Sequence, residues 1–122
     1  MIAIVDYGVG NLFSVEKAFL KFSPDVVLTS DAKVIEKADK IVLPGVGAFG
    51  DCMKNFEQSG LKNSVLEAIE QGKPVMGICV GEQIMFEGSE ESPEVKGLGI
   101  FKGMVKTVIS ISCLLYTSDA AD

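Results

Sequence analysis

Three times in this chain a short apolar run ends in a glycine-rich turn and gives way to a helical pattern. Ile2–Val5 runs into Asp6-Tyr7-Gly8-Val9-Gly10-Asn11; Ile41–Leu43 runs into Pro44-Gly45-Val46-Gly47; Val75–Cys79 runs into Val80-Gly81. Runs of this length, rich in β-branched residues and apolar throughout, suit strands buried on both faces. After the first turn, Leu12, Val15, Phe19 and Phe22 recur at helical spacing, so a helix is predicted over 11–22 and stopped by Pro24. Val26–Leu28 reads as another strand, and Asp31 as the cap of a short helix holding Val34 and Ile35. Leu61, Val65, Leu66 and Ile69 mark a further helix, ending near Gly72. Gly81–Phe86 begins another helix, and 97–108 reads as a hairpin or extended pair. Strands alternating with helices predict an α/β fold, a doubly wound parallel sheet with helices on both faces. In such sheets chemistry gathers at the carboxyl ends of the strands, where all three glycine-rich turns lie.

Composition narrows the partners. The 122 residues suffice for one domain. The net charge is −6, and all eleven basic residues are Lys. Without a basic face or the forked donors of Arg, a nucleic-acid partner is not expected. No apolar run reaches membrane-spanning length and the N-terminus lacks a basic leader, so a membrane is not expected either and a cytoplasmic location is. There is no His, and Cys52, Cys79 and Cys113 match no zinc spacing, so neither a metal nor a cofactor is expected.

Gly77-Ile78-Cys79-Val80-Gly81 has the form of a nucleophile elbow, in which glycines flank a nucleophile held in a sharp strand-to-helix turn. Its helix would aim N–H groups and a dipole at the sulfur, favouring thiolate. The Val80 N–H would hold an oxyanion, and the glycine turn at Val46 could supply a second donor. The plain alternative is a buried core cysteine between packing glycines. Gly45-Val46-Gly47-Ala48-Phe49-Gly50 also fits the dinucleotide pattern G-x-G-x-x-G, which leaves a nucleotide-binding module as a competing reading. That pattern follows the third strand rather than the first, and no acidic residue sits cleanly after the next strand to take a ribose. Glu87, Glu90 and Glu91 read as a solvated acidic face or as a holder for a substrate ammonium group.

Taken together, IAIVDYGVGNLFSVEKAF, LPGVGAFGDCM, GICVGEQIMFEGSEES and VKGLGIFKG resemble the glutaminase subunits of imidazole glycerol phosphate synthase, triad-type (class I) glutamine amidotransferases with a flavodoxin-like fold. The resemblance implies hydrolysis of L-glutamine through a γ-glutamyl thioester, with ammonia passed to a (β/α)8-barrel cyclase subunit in histidine biosynthesis. It implies Cys79 as nucleophile, Val46 and Val80 as oxyanion donors, Gly47, Gln83 and Glu91 as glutamine contacts, and Asn11 at the cyclase interface. Two departures stand out. Glu82 occupies a position where the family usually has Met, and its carboxylate would oppose a nearby thiolate. The family's catalytic His and its Glu partner lie in a C-terminal half that this sequence does not contain. The resemblance therefore covers only the N-terminal part of the domain, residues 1–107, and a piece without the base is expected to be inactive. Residues 108–122 form a tail unlike the family. Its last ten, CLLYTSDAAD, resemble the translation of a transposon adapter used in sequencing libraries, so read-through is expected there. A sibling amidotransferase feeding another acceptor, and a non-catalytic relative that binds a partner, are the remaining readings.

Overall fold

Each strand of the main sheet forms on one of the short apolar runs and stops at a glycine, a proline or a polar turn. The computed structural model describes residues 1–106; the tail and its proposed read-through lie outside the described residues. The order is β1 (Ile2–Val5), α1 (Leu12–Leu20), β2 (Val26–Thr29), α2 (Ala32–Lys37), β3 (Lys40–Leu43), α3 (Phe49–Ser59), α4 (Lys62–Glu70), β4 (Val75–Gly77) and α5 (Val80–Gln83). The pair β5 (Gly88–Ser89) and β6 (Met104–Val105) follows. The first four strands form one parallel sheet in the order β2-β1-β3-β4, with Ile4 beside Leu28 and Val42, and Leu43 beside Gly77. The doubly wound α/β fold expected from the sequence is therefore present. The chain leaves β1 in one direction to make β2 and returns past it to make β3. The turns after β1 and β3 part at this switch point, where doubly wound sheets open a crevice.

The two faces of the sheet are unequally covered. On one, Ala3, Val5, Ile41 and Leu43 pack with Ile35 of α2, Phe49, Cys52, Met53 and Phe56 of α3, and Val65 and Ala68 of α4. These side chains are essentially dry, and Phe56 also meets the ring of Tyr7 edge-on at 5.2 Å. On the other face lies α1, none of whose residues is buried. Beside it Phe19 lines an open apolar hollow with Ile2, Val42 and Met76, and Phe22 at its rim is 89% exposed. Among the described residues no helix is long and apolar enough to cross a membrane.

Three elements differ from the sequence expectation. The helix α3 is absent from the expectation, because its opening glycines read as a turn. Phe49, Cys52, Met53 and Phe56 nevertheless fall at i, i+3, i+4 and i+7, and all four are buried. The fourth strand ends at Gly77 rather than Cys79, and α5 lasts only four residues before irregular turns. The hairpin within 97–108 does not form among the described residues. The N–H groups of Gly97, Leu98 and Ile100 donate instead to the carbonyls of Glu87, Ile84 and Met85, and Met104–Val105 pairs in parallel with Gly88–Ser89. The carbonyls left free after α5 compete successfully for the donors a hairpin would have used.

The asymmetry has a measurable consequence. Phe56→Ala should cost about 3–5 kcal/mol in urea unfolding, since it empties a closed site. Phe22→Ser should change stability by no more than about 0.5 kcal/mol while lowering binding of an apolar dye.

Candidate active site

Cys79 is the single non-glycine residue with positive φ among the described residues, at φ 55 and ψ −124. Such a conformation costs on the order of 1–3 kcal/mol and persists only where its surroundings enforce it. The surroundings here are glycines. A Cβ on Gly77 would come within 2.6 Å of the Glu82 Cα, and one on Gly81 within 2.7 Å of the Pro44 carbonyl carbon. A Cβ on Gly45 would in turn lie 2.9 Å from the Gly81 Cα. The turn after β3 thus rests backbone against backbone on the first turn of α5. The Ile78 N–H donates to the Leu43 carbonyl at 3.0 Å and holds β4 in register up to the bend. The bend puts the Cys79 thiol on the surface, in contrast to the buried Cys52, which rejects the core-cysteine reading for position 79.

Around the sulfur the expected residues fall as follows. Val80 opens α5, and among the described residues no acceptor takes its N–H. With α5 a single turn, a few local N–H groups act on the sulfur rather than the dipole of a long helix. Gly47 has φ +87 with open space where a side chain would be, and Val46 beside it is exposed. The Val46 N–H faces inward to the Cys52 thiol. Gln83 is half-buried on α5. Glu91 reaches back to the same turn, its Oε1 accepting from the Phe49 N–H at 3.1 Å, while Ser92 Oγ accepts from the Gly50 N–H at 3.1 Å. Asn11 sits at the N-terminus of α1, exposed, and its side chain makes no capping bond. The turn that carries it touches the β3 turn, for a Cβ on Gly10 would lie 3.4 Å from the Pro44 Cβ. Among the described residues no cluster of metal-ligating side chains occurs. The N-terminus of α3, where a dinucleotide pyrophosphate would bind, is already occupied by the Glu91 carboxylate and the Ser92 hydroxyl.

Sequence reasoning missed Tyr7 and Cys52. The Tyr7 hydroxyl donates to the Pro44 carbonyl and lies 3.0 Å from Cys52 Sγ, all three groups being buried. Burial pushes the Tyr7 hydroxyl far above its ordinary range, and the neighbouring thiol adds to the shift. Burial likewise pushes the Cys52 thiol up, against smaller opposing pulls from the Tyr7 hydroxyl and the Val46 N–H. The only signal in the sequence was spacing: Cys52 shares the helical stripe of Phe49 and Phe56.

With this geometry in hand, the chain can be set beside known proteins. The model of the CobB/CobQ-like glutamine amidotransferase domain matches residues 2–110. The chain belongs to that amidotransferase family. It is similar to the imidazole glycerol phosphate synthase subunit HisH of Geobacter metallireducens, 51% identical over 104 residues, which make up 85% of this chain and 50% of the relative. The HisH subunits of Aquifex aeolicus and Pyrococcus furiosus are 52% and 54% identical over similar spans, again half of each relative. The amidotransferase chain therefore spans about half the length of the curated relatives it matches. A solved structure described as a glutamine amidotransferase superposes with a TM-score of 0.72 at 18% identity, covering 86% of this chain and 55% of that one, and supports the fold.

Two outcomes test the site's construction. Gly81→Ala should destabilise the amidotransferase chain by at least about 2 kcal/mol more than Gly47→Ala in urea unfolding. The first forces one backbone off another, whereas the second meets only the cost of a left-handed backbone, about 1 kcal/mol. The buried pair also fixes an alkaline dependence. Both groups have raised folded-state values, so their neutral forms are the stable ones in the native chain. Nothing is lost below the ordinary thiol value of 9.0; above it the unfolded chain sheds protons that the folded chain retains, and stability falls with rising pH. Urea midpoints between about pH 8 and pH 10.5 should drop, and drop less steeply in Cys52→Ala.

Proposed function

We propose that this chain carries the nucleophile half of a glutaminase. The observation that bears most weight is the forced bend at Cys79, which exposes its sulfur at the seam where the turn after β3 meets the backbone of α5. In this reading the Cys79 thiolate attacks the side-chain amide carbon of L-glutamine. An S–C bond forms and the carbonyl electrons move to oxygen, where the Val80 N–H stabilises the charge. Val46 adds a second donor once its peptide turns from Cys52 toward the substrate. Collapse breaks the C–N bond, releases ammonia and leaves a γ-glutamyl thioester, which water then cleaves to glutamate. Gly47, Gln83 and Glu91 hold the amino-acid end of glutamine, and Glu91 does so from a position already braced against α3.

Proton delivery to the departing ammonia is the step this chain leaves open. General acid–base help is worth about 10²–10⁴-fold. No His exists in the sequence, and the resemblance puts the family's His and Glu in the second half of the domain. Ammonia from the whole protein passes to a (β/α)8-barrel cyclase subunit in histidine biosynthesis, with Asn11 and its turn at the interface. The names of the relatives support that destination. The expected location is the cytoplasm. For residues 108–122 the proposal remains a tail foreign to the family, its final ten read through from an adapter.

Ammonia release tests the reading. The chain incubated with glutamine should release little or none. Co-expression with the second half of a HisH relative should restore release, and Cys79→Ser should abolish what is restored. Robust release by the chain alone, or restored release that survives Cys79→Ser, would refute the proposal.

A further inference from the structure

The turn that faces Cys79 is held from behind by groups with no part in the chemistry above. Tyr7 follows β1, Cys52 sits on α3 and Pro44 ends β3, so three separate elements converge under the turn. The Tyr7 ring is wedged edge-on against Phe56, which leaves its hydroxyl little freedom. That hydroxyl has one proton to give. The Pro44 carbonyl takes it, and the Cys52 sulfur occupies the oxygen's other side at 3.0 Å. A trans peptide points its C=O and N–H in opposite directions. With the Pro44 oxygen fixed inward, the Gly45 N–H is fixed outward, and the next peptide inherits its starting plane from this one. Glycine at positions 45 and 47 leaves the turn without steric preference of its own, so something outside it must set its orientation.

We propose that Tyr7 is a positioning residue for the oxyanion turn. Through the Pro44 carbonyl its hydroxyl fixes the plane of the Pro44–Gly45 peptide, and so gives the Gly45–Val46 peptide a fixed pivot from which to turn its N–H from Cys52 to an oxygen bound above Cys79. The assignment rests on the glutaminase reading. It asks for more than packing, because a phenylalanine would fill the same space and still leave the buried carbonyl without a donor.

A pair of alkylating probes separates this role from general loosening, and needs no proton carrier. A glutamine-shaped chloroketone reacts at Cys79 by adding the thiolate to its carbonyl, so an oxyanion must be held before chloride leaves and the S–C bond is fixed. Iodoacetamide reacts by direct displacement of iodide and makes no oxyanion. The ratio of the two rates, mapped to Cys79 by peptide digestion, reports the oxyanion donors. Tyr7→Phe should lower the ratio about tenfold while leaving the iodoacetamide rate within about twofold. The Pro44 carbonyl carbon, followed by NMR with labelled proline, should shift as its hydrogen bond disappears. Val65→Ala loosens the same core but leaves the Tyr7–Pro44 bond and the Cys52 sulfur in place, so its ratio should stay within about twofold of the parent. An unchanged ratio in Tyr7→Phe, or an equal fall in Val65→Ala, overturns the proposal. If the parent chain shows no preference for the chloroketone, the glutaminase reading fails instead. The Pro44 resonance then still tests the clamp: a shift in Tyr7→Phe supports it, and no shift overturns it.

Discussion

The contact on which this structure turns is made by two glycines and contains no side chain. Gly45 and Gly81 bring the end of β3 and the start of α5 so close that a Cβ on Gly45 would meet the Gly81 backbone, and one on Gly81 the backbone of Leu43 and Pro44. Their contact fixes the bend at Cys79, since Gly77 and Gly81 close in from both sides and leave the residue between them a conformation that non-glycine residues avoid. The strain at one cysteine is sustained by the packing of α3 and α4 on the sheet, where Phe49, Met53, Phe56 and Val65 are dry. Sequence, packing and chemistry meet here: the glycines permit the seam, the core holds it shut, and the sulfur is left outside.

Stability and reactivity are divided between the two faces of the sheet and its carboxyl edge. The face under α2, α3 and α4 carries the core, while the face under α1 keeps Phe19, Phe22 and Met76 in contact with water. Turns at the carboxyl edge contribute little burial of their own, yet each is anchored to the dry face. Gly10 meets Pro44, Pro44 meets Tyr7, and Tyr7 meets Phe56 and Cys52. Motions of the open face therefore need not reach the site, because the chain of contacts that fixes it runs through the closed one.

Much of this was legible in the sequence because it is local. Short apolar runs mark the four strands, three of them closed by a glycine-rich turn, and parallel order follows from the helices between them. The elbow was legible because its steric demand is written in five consecutive residues, Gly77 to Gly81. What escaped notice depends on competition or on distance in the chain. The helix α3 opens on Phe49 and Gly50, and its N–H groups there are satisfied by Glu91 and Ser92, forty-two residues away in each pairing. No local reading sees those caps, so the glycines read as a turn, with a phosphate loop as the competing reading. The hairpin within 97–108 failed for the same kind of reason, its donors being claimed by carbonyls of residues 84–87. Tyr7 and Cys52 are forty-five residues apart and become a pair only once the sheet exists.

The division of labour inside the site follows from what kinds of group the chain can fix within residues 1–106. A backbone N–H needs only a turn held in place, and the sheet supplies that from its own edge. A sulfur at a bend needs only glycines on either side. On the proposed reading a proton carrier is different: it must stand opposite Cys79, across the bound amide, and so has to come from an element that returns over the strand ends from elsewhere. The glycine-rich turns at this edge arise from β1, β3 and β4, and none of them carries a His. Electrostatic stabilisation and nucleophilic attack can thus be assembled by local geometry, whereas acid–base help cannot. On the proposed glutaminase reading, binding glutamine and turning it over are then separable, the first resting on the seam between Gly45 and Gly81 and the second on whatever the rest of the protein brings across the crevice.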